Sequence, residues 1–174
     1  MSQASSLGKT NISLTINGRS YTRHVEPRRL LVDFIRHDVG LKATHIGCEH
    51  GVCGACTVRI DGRTARSCLH FAIAVQGAEI ETLEGLSADG RLAGLQKAFH
   101  DAHGLQCGYC TPGVLLSAEE FLSENPNPTE LEIRAALSNN LCRCTGYVNI
   151  VKAIANAARD REAAGVDHAG EKKK

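Results

Sequence analysis

Gly47-Cys48-Glu49-His50-Gly51-Val52-Cys53-Gly54-Ala55-Cys56-Thr57-Val58 decides how this chain is read. It sets three cysteines at C-x4-C-x2-C, and Cys68 adds a fourth after eleven intervening residues. In a reducing compartment such a set reads as metal ligands or redox groups rather than disulfides. Gly47, Gly51 and Gly54 permit tight turns and close backbone approach, so backbone N–H groups can point at sulfur. Structural zinc usually takes its cysteines as two C-x2-C pairs, and the four-residue gap argues against it. A mixed histidine–cysteine cluster would need two histidines in place of two cysteines. Four cysteines are already available, so His45 and His50 read as structural loop residues.

Two irons bridged by two sulfides need four converging thiolates. A wrapped loop supplies three and a nearby strand end the fourth, and the first three spacings are those of plant-type 2Fe–2S ligation. The flanking sequence supplies a matching frame. Ile12, Leu14 and Ile16 alternate with polar residues, Asn17-Gly18 signals a type I′ hairpin, and Tyr21, Arg23 and Val25 form the return strand. Pro27 suits the first turn of a helix carrying Leu30, Leu31, Phe34 and Ile35 and stopping at Gly40, with Arg28-Arg29 on its surface. A second hairpin, Thr57 to Ile60 and Arg63 to Ser67, turns at Asp61-Gly62, and a short strand follows through Ile80 and Thr82. This order predicts a small β-grasp sheet with one crossing helix over 10–84.

A stretch with two glycines, serine and aspartate, Glu84 to Gly90, reads as the join to a helical half over 90–162. Leu92 to His103 predicts one helix, and Thr111-Pro112, as N-cap and first helical residue, opens a second that ends before Pro126. Thr129 with Glu132 fits a capping box for a third helix carrying Leu131, Ile133, Ala136 and Leu137. Thr145 caps a fourth with Ile150, Val151, Ile154, Ala157 and Ala158 on one face. The fold class is therefore α+β, a ferredoxin-like β-grasp domain followed by a four-helix bundle. Residues 163–174 read as a flexible polar tail. Cys107 and Cys110 (C-x2-C) with Cys142 and Cys144 (C-x-C) form a second set whose spacing alone is compatible with zinc.

The residues around that set point further. Leu105-Gln106-Cys107-Gly108-Tyr109-Cys110-Thr111-Pro112-Gly113 and Leu141-Cys142-Arg143-Cys144-Thr145-Gly146-Tyr147 closely resemble the second cluster site of the molybdenum hydroxylases. The stretch from Gly47 to Val58 resembles their first. This family includes xanthine dehydrogenases, aldehyde oxidoreductases, carbon monoxide dehydrogenases and bacterial N-heterocycle hydroxylases. The resemblance covers roughly residues 10 to 162 with no departure at any ligand. It implies one 2Fe–2S cluster on Cys48, Cys53, Cys56 and Cys68 and another on Cys107, Cys110, Cys142 and Cys144. It also implies that Gln106 and Cys144 contact the pterin of a partner subunit, with the second cluster nearest the molybdopterin and the first on the FAD side.

The expected role is electron transfer in a multi-subunit oxidoreductase. Molybdopterin belongs to a large subunit and FAD to a medium one, and the complex is expected to be a dimer of heterotrimers. No G-x-G-x-x-G phosphate motif occurs in the 174 residues, and no substrate site is expected on this chain. Net charge is +1, which gives no sign of a nucleic-acid partner, and no apolar run reaches the roughly 18 residues of a membrane span. The polar N-terminus lacks a signal-peptide pattern, so the expected compartment is the cytoplasm. Two rivals stay open on spacing alone, a free-standing two-cluster ferredoxin and a structural zinc protein.

Overall fold

Alternation builds the first hairpin: Ile12, Leu14 and Ile16 of β1 (Thr10–Ile16) are buried, and β2 (Arg19–Val25) pairs antiparallel from Thr10↔Val25 to Ile16↔Arg19. Asn17 and Gly18 both take positive φ, 52° and 71°, as a type I′ turn requires. This computed structural model describes residues 8–163, so the polar tail lies outside the described residues apart from its first residue. The second predicted hairpin forms as β3 (Thr57–Ile60) and β4 (Arg63–Arg66) around Asp61-Gly62. β5 (Glu79–Glu81) lies parallel to β1 and antiparallel to β3, giving the sheet order β2-β1-β5-β3-β4.

The crossing helix starts later than the sequence suggests. Pro27 and Arg28 lie in a turn, α1 spans only Leu31–Asp33, and a π-helical segment, Phe34–Val39, completes it before Gly40. The delay has a backbone cause. Leu31 N–H donates to His70 C=O and Ala72 N–H to Arg29 C=O, both at 2.8 Å, holding Leu30 extended. Arg28 and Arg29 therefore precede the helix, paired with Glu26 and Asp38. Leu31, Phe34 and Ile35 still pack on the sheet with Ile12, Leu14, Ile16, Val58 and Ile80.

The stretch Glu84–Gly90, read from the sequence as the join, is largely helical, α2 (Leu83–Ala88), because Leu86 is fully buried in the core of the helical half. That core is shared by α3 (Ala93–Asp101), α4 (Thr111–Glu124), α5 (Glu130–Ala136) and α6 (Val148–Ala163), around Phe99, Leu116, Ile133, Ile150 and Ile154. Cys110, not Thr111, occupies the N-cap of α4, and Pro112 is buried in the first turn. Thr145 lies three residues before α6 and its hydroxyl accepts from Tyr147 N–H, so it does not cap that helix directly. Leu131 is 77% exposed, leaving Ile133 and Leu137 as the buried residues of their segment.

The Thr129–Glu132 capping box is present: Glu132 N–H donates to the Thr129 hydroxyl and Thr129 N–H to the Glu132 carboxylate. Thr129→Ala is expected to cost about 1 kcal/mol, read as a shift in a urea unfolding midpoint.

Candidate metal centres

The first cysteine set lies in the loop between the crossing helix and β3, with its fourth member just after β4. His45 N–H donates to Ala55 C=O across the loop at 3.2 Å, closing it around Cys48 and Cys53. Cys56 and Cys68 are buried beside Val32, and Ser67 fixes their approach by donating its hydroxyl to Cys56 C=O at 2.6 Å. The thiols stand as two interacting pairs, Cys48 with Cys53 and Cys56 with Cys68. As the glycines imply, backbone N–H groups converge on sulfur: Cys53 N–H lies 3.4 Å from Cys48 Sγ. A Cβ at Gly47 would come within 2.9 Å of Cys53 Sγ, so the cradle leaves no space for one. Hydrogen bonds from the backbone N–H of Cys53, then of His50, pull the Cys48 thiol down to about 6. Burial, followed by the neighbouring Cys56, pushes Cys68 up to about 11.

The second set is built by two helix approaches. Cys107 and Cys110 lead into α4, and Cys142 and Cys144 lie between α5 and α6. Again there are two pairs. Cys107 and Cys144 are exposed with their sulfurs 3.5 Å apart, while Cys110 and Cys142 interact more deeply. Burial, then Cys142, pushes Cys110 up to about 12. Burial also opposes the Cys142 thiolate, but hydrogen bonds from the Thr145 hydroxyl and backbone outweigh it and its pKa falls. Cys144 is raised, chiefly through its hydrogen bond with Cys107.

Among the described residues, no three histidine, cysteine or carboxylate side chains gather tightly enough to hold a single metal ion. Four thiols that meet two by two suit a rhomb of two irons, one pair per iron. The donor sets therefore fit 2Fe–2S clusters. Iron binds thiolates, so filling these sites releases protons from thiols that burial has kept protonated.

The structure adds a junction that cysteine spacing could not reveal. Leu141 N–H donates to Cys53 C=O at 2.9 Å, tying a cysteine of the first set to the residue beside Cys142. Buried Asn140 donates its amide to Gly54 C=O at 3.2 Å, and Arg66 donates to Asn139 C=O at 2.6 Å. Gly113 of α4 packs so closely that a Cβ there would stand 2.2 Å from Gly54 O. Farther along, Thr64 and Glu120 hydrogen-bond, joining β4 to α4. Asn140 carries no sequence signal beyond its place two residues before Cys142. Gly113 is visible as a helical glycine, but its neighbour is not. Gln106 is exposed, like Cys107 and Cys144, and its side chain makes no hydrogen bond among the described residues.

Two family models match the chain. One described as a 2Fe-2S iron-sulfur cluster binding domain covers residues 14–87, and one described as a [2Fe-2S] binding domain covers 82–155. Each contains one cysteine set. The caffeine dehydrogenase subunit gamma of Pseudomonas sp. (strain CBB1) is 51% identical over 156 residues, covering 88% of this chain and 93% of that one. The nicotine 6-hydroxylase small subunit of Paenarthrobacter nicotinovorans is 50% identical, covering 90% of this chain and 94% of that one. The crystal structure of quinoline 2-oxidoreductase from Pseudomonas putida 86 contains a similar chain. Its TM-score is 0.83 at 48% identity, covering 91% of this chain and 99% of that one.

Proposed function

The chain belongs to the family of small 2Fe–2S subunits of molybdenum hydroxylases, and on that premise we propose that it carries electrons singly between two partner subunits. Electrons enter from a molybdopterin centre on a large subunit and leave to FAD on a medium subunit. The observation that carries this reading is the junction: two four-thiol sets share one interface, with Cys53 hydrogen-bonded to the neighbour of Cys142.

Within this reading Cys48, Cys53, Cys56 and Cys68 hold the first cluster, and Cys107, Cys110, Cys142 and Cys144 the second. When bound, each cluster supplies one-electron chemistry. The residues of the chain do the rest. Backbone N–H groups of the loop from His50 to Cys53 stabilise negative charge on sulfur at the first site. At the second, Thr145 and the N-terminus of α4 do the same. Gln106 and Cys144, both exposed, meet the pterin of the large subunit. Leu105, Leu141 and Val148 are exposed near the second set, and Val52, Leu69 and Phe71 near the first. Apolar residues left open around each cysteine set suit two docking faces, one for each partner.

The two separate cores support a β-grasp domain over 10–84 followed by a four-helix bundle over 90–162. No helix of the described residues is long and apolar enough to cross a membrane. A cytoplasmic complex arranged as a dimer of heterotrimers completes the proposal.

Native purification of the tagged chain tests it. Two larger subunits should co-elute, one bringing molybdenum and the other flavin. A chain that elutes alone, carrying iron and no molybdenum-bearing partner, overturns the subunit role. Zinc in place of iron overturns the cluster assignment.

A further inference from the structure

Tyr109 is about half exposed, yet it is anchored at three points. Its ring stacks on His45 with centroids 4.5 Å apart and planes 17° from parallel. Its hydroxyl donates to Ile46 C=O at 2.7 Å. Its own C=O lies 2.8 Å from His45 Nδ1, and because a carbonyl only accepts, His45 carries its proton on Nδ1. Both ends of this contact belong to cluster loops. His45 closes the first loop through Ala55 and Ile46 leads into Gly47-Cys48, while Tyr109 sits between Cys107 and Cys110.

We propose that His45 and Tyr109 form a clasp that fixes the distance and orientation between the two cluster sites, and so are positioning residues for electron transfer between them. The inference rests on the two-cluster reading above. Its physical basis is a count of attachment points. The hydrogen bonds from Leu141 and Asn140 pin residues 53–54 to the Cys142 side of the second site, Arg66 reaches Asn139 on that same side, and Thr64 with Glu120 joins β4 to α4. None of these bonds reaches residues 45–50, so without a further contact that end of the loop is free to shift against the second site. The clasp joins the opposite end of the same loop, residues 45–46, to the Cys107–Cys110 side and removes that freedom. Among the described residues, these are the only hydrogen bonds between 45–50 and the helical half.

A ring left half in water gains little from burial alone, so its two directed hydrogen bonds and its stack account for its placement. The transfer itself is one electron leaving a reduced cluster and one arriving at an oxidised cluster. It needs no proton and no further reactant, so geometry is what the protein contributes.

The test uses the purified complex carrying wild type, Tyr109→Phe, Tyr109→Leu or His45→Ala. Three quantities are measured: iron per chain, the magnetic splitting between the two reduced clusters by low-temperature EPR, and the intercluster rate after pulsed reduction. His45→Ala and Tyr109→Leu should keep their iron and each cluster's own g-values but lose or alter the splitting. Intercluster transfer should slow severalfold relative to wild type. Tyr109→Phe, which keeps the stack and the carbonyl acceptor, should fall between them and wild type. Full iron with unchanged splitting and rate in His45→Ala and Tyr109→Leu overturns the clasp. Loss of a cluster from either variant also overturns it, assigning the pair to loop stability instead. A wild-type complex with a single cluster signal defeats the two-cluster reading itself, an outcome distinct from both.

Discussion

Gly113→Ala is expected to lower stability by roughly 3 kcal/mol and to disturb the contact between the cluster sites, because the new methyl group meets the backbone of the first cluster loop. Its Cβ would stand 2.2 Å from Gly54 O and 3.2 Å from Asn140 Nδ2. Neither side can yield easily. Gly54 lies between Cys53 and Cys56, held by the Asn140 amide, and a Cβ on Gly54 would itself come within 2.4 Å of Asn139 O. Opposite, α4 is locked by Val114, Leu115, Leu116, Ala118 and Leu122, all buried. Relief requires the helix or the loop to retreat by about an ångström, which opens the junction and breaks close packing on both sides. The measurement is a urea midpoint together with the EPR splitting of the reduced clusters. Gly94→Ala in α3 is the matched control. Its Cβ meets nothing within 4 Å, so it should be neutral or stabilise by up to about 1 kcal/mol through helix propensity. Equal effects from the two substitutions would contradict the close approach.

Cys68→Ser is expected to remove the first cluster while sparing the second, cutting iron per chain by about half and leaving one of two reduced-cluster EPR signals. Cys68 is buried beside Cys56 and Val32, in a turn set by the Ser67 hydroxyl. Serine there is a weak iron ligand and leaves a hydroxyl in an apolar niche, which costs about 1–3 kcal/mol when unpaired. The cysteines of the second set are all elsewhere, between 107 and 144. That site should keep its iron, while its signal loses the splitting produced by a reduced neighbour. A folded protein that lost both signals would show that the sites fill together. One that kept both would remove Cys68 from the ligand set.

The two candidate cysteine sets were legible in the sequence because their spacing is local. C-x4-C-x2-C wraps one loop, and C-x2-C with C-x-C sit beside two helix starts, so spacing and flanking residues were enough to sort eight cysteines into two sets of four. The hairpins were legible for the same reason: Asn17-Gly18 and Asp61-Gly62 take the positive φ values their turns need whatever lies around them. Local rules failed where a distant partner decided. Pro27 is a sound first helical residue, yet backbone pairing of 29–31 with 70–72 postpones the helix to Leu31. Glu84 to Gly90 has loop composition, yet burial of Leu86 makes much of it helix.

By itself, then, the sequence determined the turns, most of the elements and the family, and sorted the cysteines into the two sets proposed as ligands, since these depend on residues within a few positions of one another. Only the tertiary structure decided how the two sites meet. The bond from Leu141 to Cys53, the fit of Gly113 against Gly54 and the stack of Tyr109 on His45 each join residues more than fifty positions apart. Such contacts depend on packing geometry between folded halves, and no periodicity or spacing along the chain encodes them.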